Sequence, residues 1–281
     1  MSRFLDECMK FIETQPFEII RISEIHNGGE IETAEGTESN PCQNTYSVAK
    51  TFTASAIGIL YDMGMLSLNE KICDIFTLPD GADKRWYDCT VEMALTHSLG
   101  LPGGFLDIDV HKSSDFTDDF LNYMFSYPLE YDPGTDRKYS DGTFYLLSCV
   151  VEKKTGKSLD NFLWQEMLTK LDFQEMAWSH CPKGHAMGAT GLYISSEDMV
   201  KLAQVYLDKG LYRSKRILSE EWVKLSLKKG FGWDETQGIF YKGGMCGQRL
   251  IGIPEQNRAV AVQSFGANTG VITEWIKNYK D

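Results

Sequence analysis

No run of eighteen apolar residues occurs in this 281-residue chain, so no segment is long and apolar enough to read as a membrane-spanning helix. Asp6, Glu7, Lys10 and Glu13 interrupt residues 1–17, which removes the apolar core of a secretory signal. Basic runs are missing too: 28 Lys and Arg against 40 Asp and Glu give a net charge of −12, with no stripe to follow a phosphate backbone or an anionic lipid surface. Nucleic acid and membranes are therefore not expected partners. The seven cysteines are odd in number and lack C-x-x-C spacing, so we expect a reducing, cytoplasmic setting rather than a disulfide framework. Repeats, low-complexity tracts and long linkers are absent, which leaves domain boundaries to be read from changes in hydrophobic period.

What the chain does have is a globular composition, 42% hydrophobic and 12% aromatic, enough for one large core or two smaller lobes. A helical segment over Arg3 to Thr14 is followed by strand-like runs, Phe17 to Ile25 and Glu30 to Ala34, around the Asn27-Gly28-Gly29 turn. From Ser67 to about His185 the pattern is a series of short helices, with N-cap candidates at Ser67, Thr90 and Ser158 and loops at Leu78 to Ala82 and Leu101 to Gly104. Ser195 opens a helix that Gly210 closes. Gly238 to Phe265 then holds three strand-like runs with turns near Gly243-Gly244 and Pro254-Glu255, and a final helix covers Val271 to Tyr279. This order predicts an α/β (α+β) sheet domain, residues 1–66 and 188–281, split by an inserted all-helical domain, residues 67–187, with a site in the cleft between them.

Ser47-Val48-Ala49-Lys50 is the most informative stretch. Ala49, Phe52, Ala56, Ile57 and Leu60 recur at helical spacing, which places Ser47 in the first turn of a helix and Lys50 one turn on, on the same face. A buried lysine loses its charge more easily, and a neutral amine is a competent base for a serine hydroxyl. First-turn amides also favour negative charge at the reacting centre. The same spacing recurs at Ser226-Leu227-Lys228-Lys229, but there it ends a charged helix that Gly230 terminates, where lysines serve as C-terminal charges. Two more segments could complete the first copy: Tyr139-Ser140-Asp141, opening a helix, and Lys242-Gly243-Gly244 on the late β-rich run. That order of motifs is the one found in penicillin-binding proteins and β-lactamases.

At this point the chain resembles the β-lactamase-related serine hydrolases, in particular the branch of class C β-lactamases, D-aminopeptidases and related carboxylesterases. Further blocks carry the likeness: Thr51-Phe52-Thr53-Ala54, Gly64-Met65-Leu66-Ser67-Leu68, Leu95-Thr96-His97-Ser98-Leu99-Gly100-Leu101-Pro102, Gly156-Lys157-Ser158, and Gly243-Gly244 with Gly247-Gln248. The resemblance implies an antiparallel sheet flanked by terminal helices with an inserted helical domain. It implies Ser47 as acylated nucleophile, Lys50 assisting its deprotonation, Tyr139 in proton transfer, and backbone N–H groups of Ser47 and Met245 as the oxyanion hole. Asp141, Lys242, Gly243 and Gly244 would meet the substrate, a small molecule or short peptide, with no metal or cofactor. Whether Lys50 or Tyr139 is the base stays open. Two departures bear on substrate: Asp141 stands where the class C triplet has Asn, and Gly243 replaces a Thr whose hydroxyl helps to bind a β-lactam carboxylate. Together with the cytoplasmic expectation they favour a small ester, amide or D-amino-acid peptide over efficient β-lactam hydrolysis. A ligand-binding or regulatory module that has lost turnover is the alternative.

His180, Cys181 and His185 are compact but lack a second ligand pair for zinc. His97 has no Asp partner at recognisable spacing for a Ser-His-Asp triad and is read as organising its loop. Cys246, beside Met245, is read as a small hydrophobe that thiol reagents could reach.

Overall fold

The computed structural model describes residues 1–112 and 115–280. Helix α1 (Arg3–Glu13) starts where Ser2 accepts a hydrogen bond from the Leu5 amide. Strands β1 (Arg21–His26) and β2 (Glu32–Glu35) form the expected hairpin, and β3 (Gln43–Asn44) leads into a 3-10 turn, Tyr46–Val48, and helix α2 (Ala49–Asp62). Ser47 is thus in a 3-10 turn ahead of the α-helix rather than in its first turn. Tyr46 causes the offset: its φ of 48° is left-handed, a reversal that no glycine or asparagine announces.

Five helices follow: α3 (Ile72–Ile75), α4 (Val91–Leu95), α5 (Phe120–Ser126), α6 (Asp141–Thr155) and α7 (Leu159–Leu163), the last running on as a π-helical turn over Trp164–Leu168. Thr90 caps α4 as expected, accepting from the Met93 amide. Ser67 caps nothing: the helix after it begins at Ile72, and Ser67 supports a turn through its carbonyl. Short strand β4 (Ala177–Trp178) falls inside the stretch expected to be all helix. It pairs with β5 (Leu192–Ile194), which pairs with β3. Helix α8 (Ser196–Leu207), capped by Ser195, the β6 (Leu211–Tyr212) and β7 (Lys215–Arg216) hairpin, and α9 (Glu220–Lys229) come next.

The chain closes with β8 (Asp234–Thr236), β9 (Ile239–Gly244), β10 (Gln248–Ile253), β11 (Arg258–Gln263) and α10 (Thr269–Asn278). The three strands expected between Gly238 and Phe265 are β9, β10 and β11, β8 precedes them, and Lys242-Gly243-Gly244 lies within a strand whose turn comes only at Met245–Gly247. All six strands of the main sheet are antiparallel, in the order β2-β1-β11-β10-β9-β8. Strand β11 is buried along its whole length because both faces are covered. Val260 and Val262 pack with Ile22, Ile251 and Ile253 toward α1 and α10, while Ala259 and Ala261 belong to the larger core that includes α8 and α2. Small residues on that face let α8 lie close. Helix α2 is buried along nearly its whole length, Lys50 included. Among the described residues no helix is long and apolar enough to cross a membrane.

Candidate active site

Four elements converge on Ser47: the 3-10 turn that carries it, the first turn of α2 with Lys50, the entry to α6 with Tyr139 and Asp141, and the end of β9 with Lys242, Gly243 and Gly244. The Tyr139 phenol donates to Ser47 Oγ at 2.8 Å and Lys50 Nζ donates to the same oxygen at 3.1 Å. Lys50 spends its other two protons on Asp141 Oδ1 at 2.7 Å and the Ala189 carbonyl at 3.0 Å. Burial alone would push this ammonium's pKa down, but the Asp141 carboxylate and the Tyr139 phenol outweigh it and hold the pKa above its ordinary value. The expectation of a neutral lysine is therefore corrected: Asp141 pairs with Lys50 and keeps it charged.

Tyr139 is 41% exposed, so its phenol sits where solvent and a substrate can reach it. Lys50 Nζ lies 4.7 Å and Lys242 Nζ 5.2 Å from the centre of its ring. Lys242 is buried along its whole side chain and also pairs with Asp234 at 3.2 Å, so its charge is directed at Tyr139 and at a carboxylate rather than left open in the cleft.

Gly244 explains how the strand reaches the Ser47 turn: a Cβ there would overlap the carbonyl oxygen of Thr45, two residues before Ser47. Met245 follows it, 42% exposed at the start of the 3-10 turn. A Cβ on Gly243 would instead meet Arg249 Nη1 at 2.8 Å, since Arg249 is its cross-strand neighbour on β10. The guanidinium, donating to Thr273 Oγ1 at 2.9 Å, fills the space that a larger side chain at Gly243 would need.

Sequence reasoning missed Asp107 and Asp109. Their carboxylate oxygens and one from Asp141 all lie within 4.8 Å of one another. Burial, followed by the Asp141 charge, raises the Asp107 pKa; burial also raises that of Asp109, against a hydrogen bond from Thr190 Oγ1. The only local signal was an Asp-Ile-Asp triplet just past the Leu101-Pro102 loop. The remaining candidates disperse. His180 goes to Asp160 at 3.2 Å, His185 to Glu152 at 2.7 Å and Cys181 to the Tyr145 hydroxyl at 3.4 Å, so these three side chains do not share one centre. Ser226 is buried against the Phe231 carbonyl at the end of α9.

A family model described as Beta-lactamase matches residues 30–271. The N-acetylmuramyl-L-alanine amidase of Bacillus subtilis (strain 168) is 27% identical over 82% of this chain and 68% of its own length. Penicillin-binding protein 4 of Amycolatopsis lactamdurans is 24% identical over 72% of this chain and 66% of its own, so the chain spans about two thirds of these relatives. Among solved structures, a penicillin binding protein from Bacillus halodurans superposes with a TM-score of 0.75 at 17% identity, covering 97% of this chain and 99% of that one. The octameric penicillin-binding protein homologue from Pyrococcus abyssi gives 0.73 at 19%, covering 97% and 74%.

Proposed function

Because the chain belongs to the β-lactamase family of hydrolases, we propose that it is a serine hydrolase that works through a covalent acyl-enzyme on a small ester, amide or D-amino-acid peptide. The observation that carries this reading is the pair of hydrogen bonds on Ser47 Oγ from Tyr139 and Lys50. With Lys50 held as an ammonium, we assign the proton relay to Tyr139. In the reacting form Tyr139 has given its phenol proton to solvent, and Ser47 Oγ attacks the acyl carbon as its own proton passes to that phenolate oxygen, beside which the Lys50 and Lys242 ammonium groups stand. The resulting phenol then returns that proton to the leaving ester oxygen or amide nitrogen as the acyl–oxygen or acyl–nitrogen bond breaks. Lys50 keeps Ser47 Oγ oriented, and the amides of Ser47 and Met245 take the oxyanion. Water, deprotonated by the same tyrosine, releases the acyl group.

Two observations narrow the substrate. Asp107 and Asp109 beside the Lys50–Asp141 pair disfavour an anionic acyl group, and Gly243 offers no hydroxyl to a carboxylate, which supports neutral or cationic substrates over β-lactams. The unpaired thiols of the seven cysteines support a reducing, cytoplasmic setting.

The test is intact mass after exposure to a fluorophosphonate, a penicillin and a panel of activated esters, for wild type and Ser47→Ala. A Ser47-dependent adduct, with turnover of the esters, is expected. A folded protein that forms no adduct with any reagent refutes the hydrolase reading in favour of a binding module.

A further inference from the structure

His97 grips three consecutive residues at the entry to α6. Its carbonyl accepts the Lys138 amide at 2.9 Å, its ring stacks on Tyr139 with centroids 4.6 Å apart and planes 35° apart, and its Nδ1 accepts the Ser140 amide at 3.4 Å. Thr143 Oγ1, in the first turn of α6, lies 2.8 Å from the same Nδ1. On its other side the imidazole meets Phe144 at 5.1 Å, and the residue as a whole is buried. Its backbone is left-handed, φ 58°, just past the end of α4, so a single strained residue turns the helix end back toward Tyr139. The Tyr139 ring is thereby fixed between an imidazole and two ammonium groups while its hydroxyl reaches Ser47.

We propose that His97 is the positioning residue for Tyr139: through its stack and its two hydrogen bonds to the flanking backbone it holds the phenol oxygen on Ser47 Oγ. The inference rests on the assignment of Tyr139 as proton relay. Burial keeps the imidazole neutral, helped by the nearby charges of Lys50, Lys242 and Arg137, and a neutral ring is what the backbone contact at Nδ1 requires, because a protonated Nδ1 could not accept from Ser140. His97 touches neither Ser47 nor a substrate in this account; it acts only by fixing where the tyrosine can be.

His97→Asn is the informative variant, since Asn adopts the left-handed backbone and keeps an acceptor near Nδ1 but removes the ring. It is expected to slow fluorophosphonate labelling of Ser47 by on the order of tenfold to a hundredfold, the usual consequence of misplacing a reacting group by about an ångström. In a Tyr139→Phe background the same change is expected to cause no further loss. Labelling at the wild-type rate in His97→Asn, or a full second loss in the Tyr139→Phe background, overturns the proposal in favour of a merely structural role. A second readout does not depend on catalysis: with ring-labelled tyrosine, the carbon NMR resonance of Tyr139 is expected to shift or broaden in His97→Asn, and an unchanged resonance overturns the proposal. Wild type that is never labelled at Ser47 would refute the hydrolase reading, and the resonance of Tyr139 would still decide the role of His97.

Discussion

All three protons of the Lys50 ammonium are committed, and one of their acceptors is a carboxylate that is itself almost wholly buried. Lys50→Met therefore does more than remove a mechanistic group: it leaves Asp141 charged and unpaired inside the protein, at a cost of about 3–5 kcal/mol. We expect urea unfolding to show that loss, and Lys50→Met combined with Asp141→Asn to recover much of it; a single variant as stable as wild type would mean the pair contributes nothing. The sign of the pH dependence follows from the raised pKa of Lys50. The stability the pair contributes is fully present below the ordinary lysine value of 10.5 and is lost as pH climbs through the higher folded value. Asp141→Asn should abolish that alkaline loss, read as Tm against pH. Ser47 and Lys50 were legible as neighbours because their types and local spacing put them on one face, whereas Tyr139 was reached only through the resemblance in motif order. The protonation of Lys50 was not legible, since it depends on Asp141, which lies 91 positions away in sequence.

At the scale of elements, the approach of β9 to the nucleophile turn depends on one missing side chain. Gly244→Ala must push the strand off Thr45, because the atom in the way is backbone and cannot swing aside. We expect labelling of Ser47 to fall by on the order of a hundredfold, with the fold retained by circular dichroism. Gly243→Thr meets only the tip of Arg249 and should be far milder. The loop after α4 invites the opposite experiment. Asp107 and Asp109 have raised pKa values, so each destabilises the fold once ionised, and the penalty disappears as pH falls through the folded values. Asp107→Asn with Asp109→Asn should raise Tm at pH 7 by roughly 1–3 °C and by nothing near pH 3. An unchanged Tm at pH 7 would show that solvent already screens them. Helix α9 and the hairpin of β1 and β2 were readable from period and punctuation. The 3-10 turn at Ser47 was not, because it follows a left-handed backbone at Tyr46, a residue type that does not signal that conformation.

For the molecule as a whole, the charge of −12 surrounds the cleft with a field that attracts cations over about 30 Å in 0.01 M salt and over only a few ångströms near 1 M. The specificity constant for a cationic ester should therefore fall several-fold across that range, while that of an anionic analogue rises and a neutral one stays level. Parallel behaviour of all three would show that the net charge has no part in capture. The sheet itself joins the earliest strands to the latest, Arg21 opposite Gln263 and His26 opposite Arg258, with a buried Glu24–Arg258 ion pair across the seam. Between them lies every residue of the site, from Ser47 to Met245. On the ribosome, strand β1 must wait for β11 on the order of ten seconds or more at ordinary synthesis rates. During that interval the nascent chain holds the Ser47 turn and α2 without the sheet edge that completes the cleft, so the site can be assembled only when nearly the whole chain has been made, by nothing more than the order in which its strands are born.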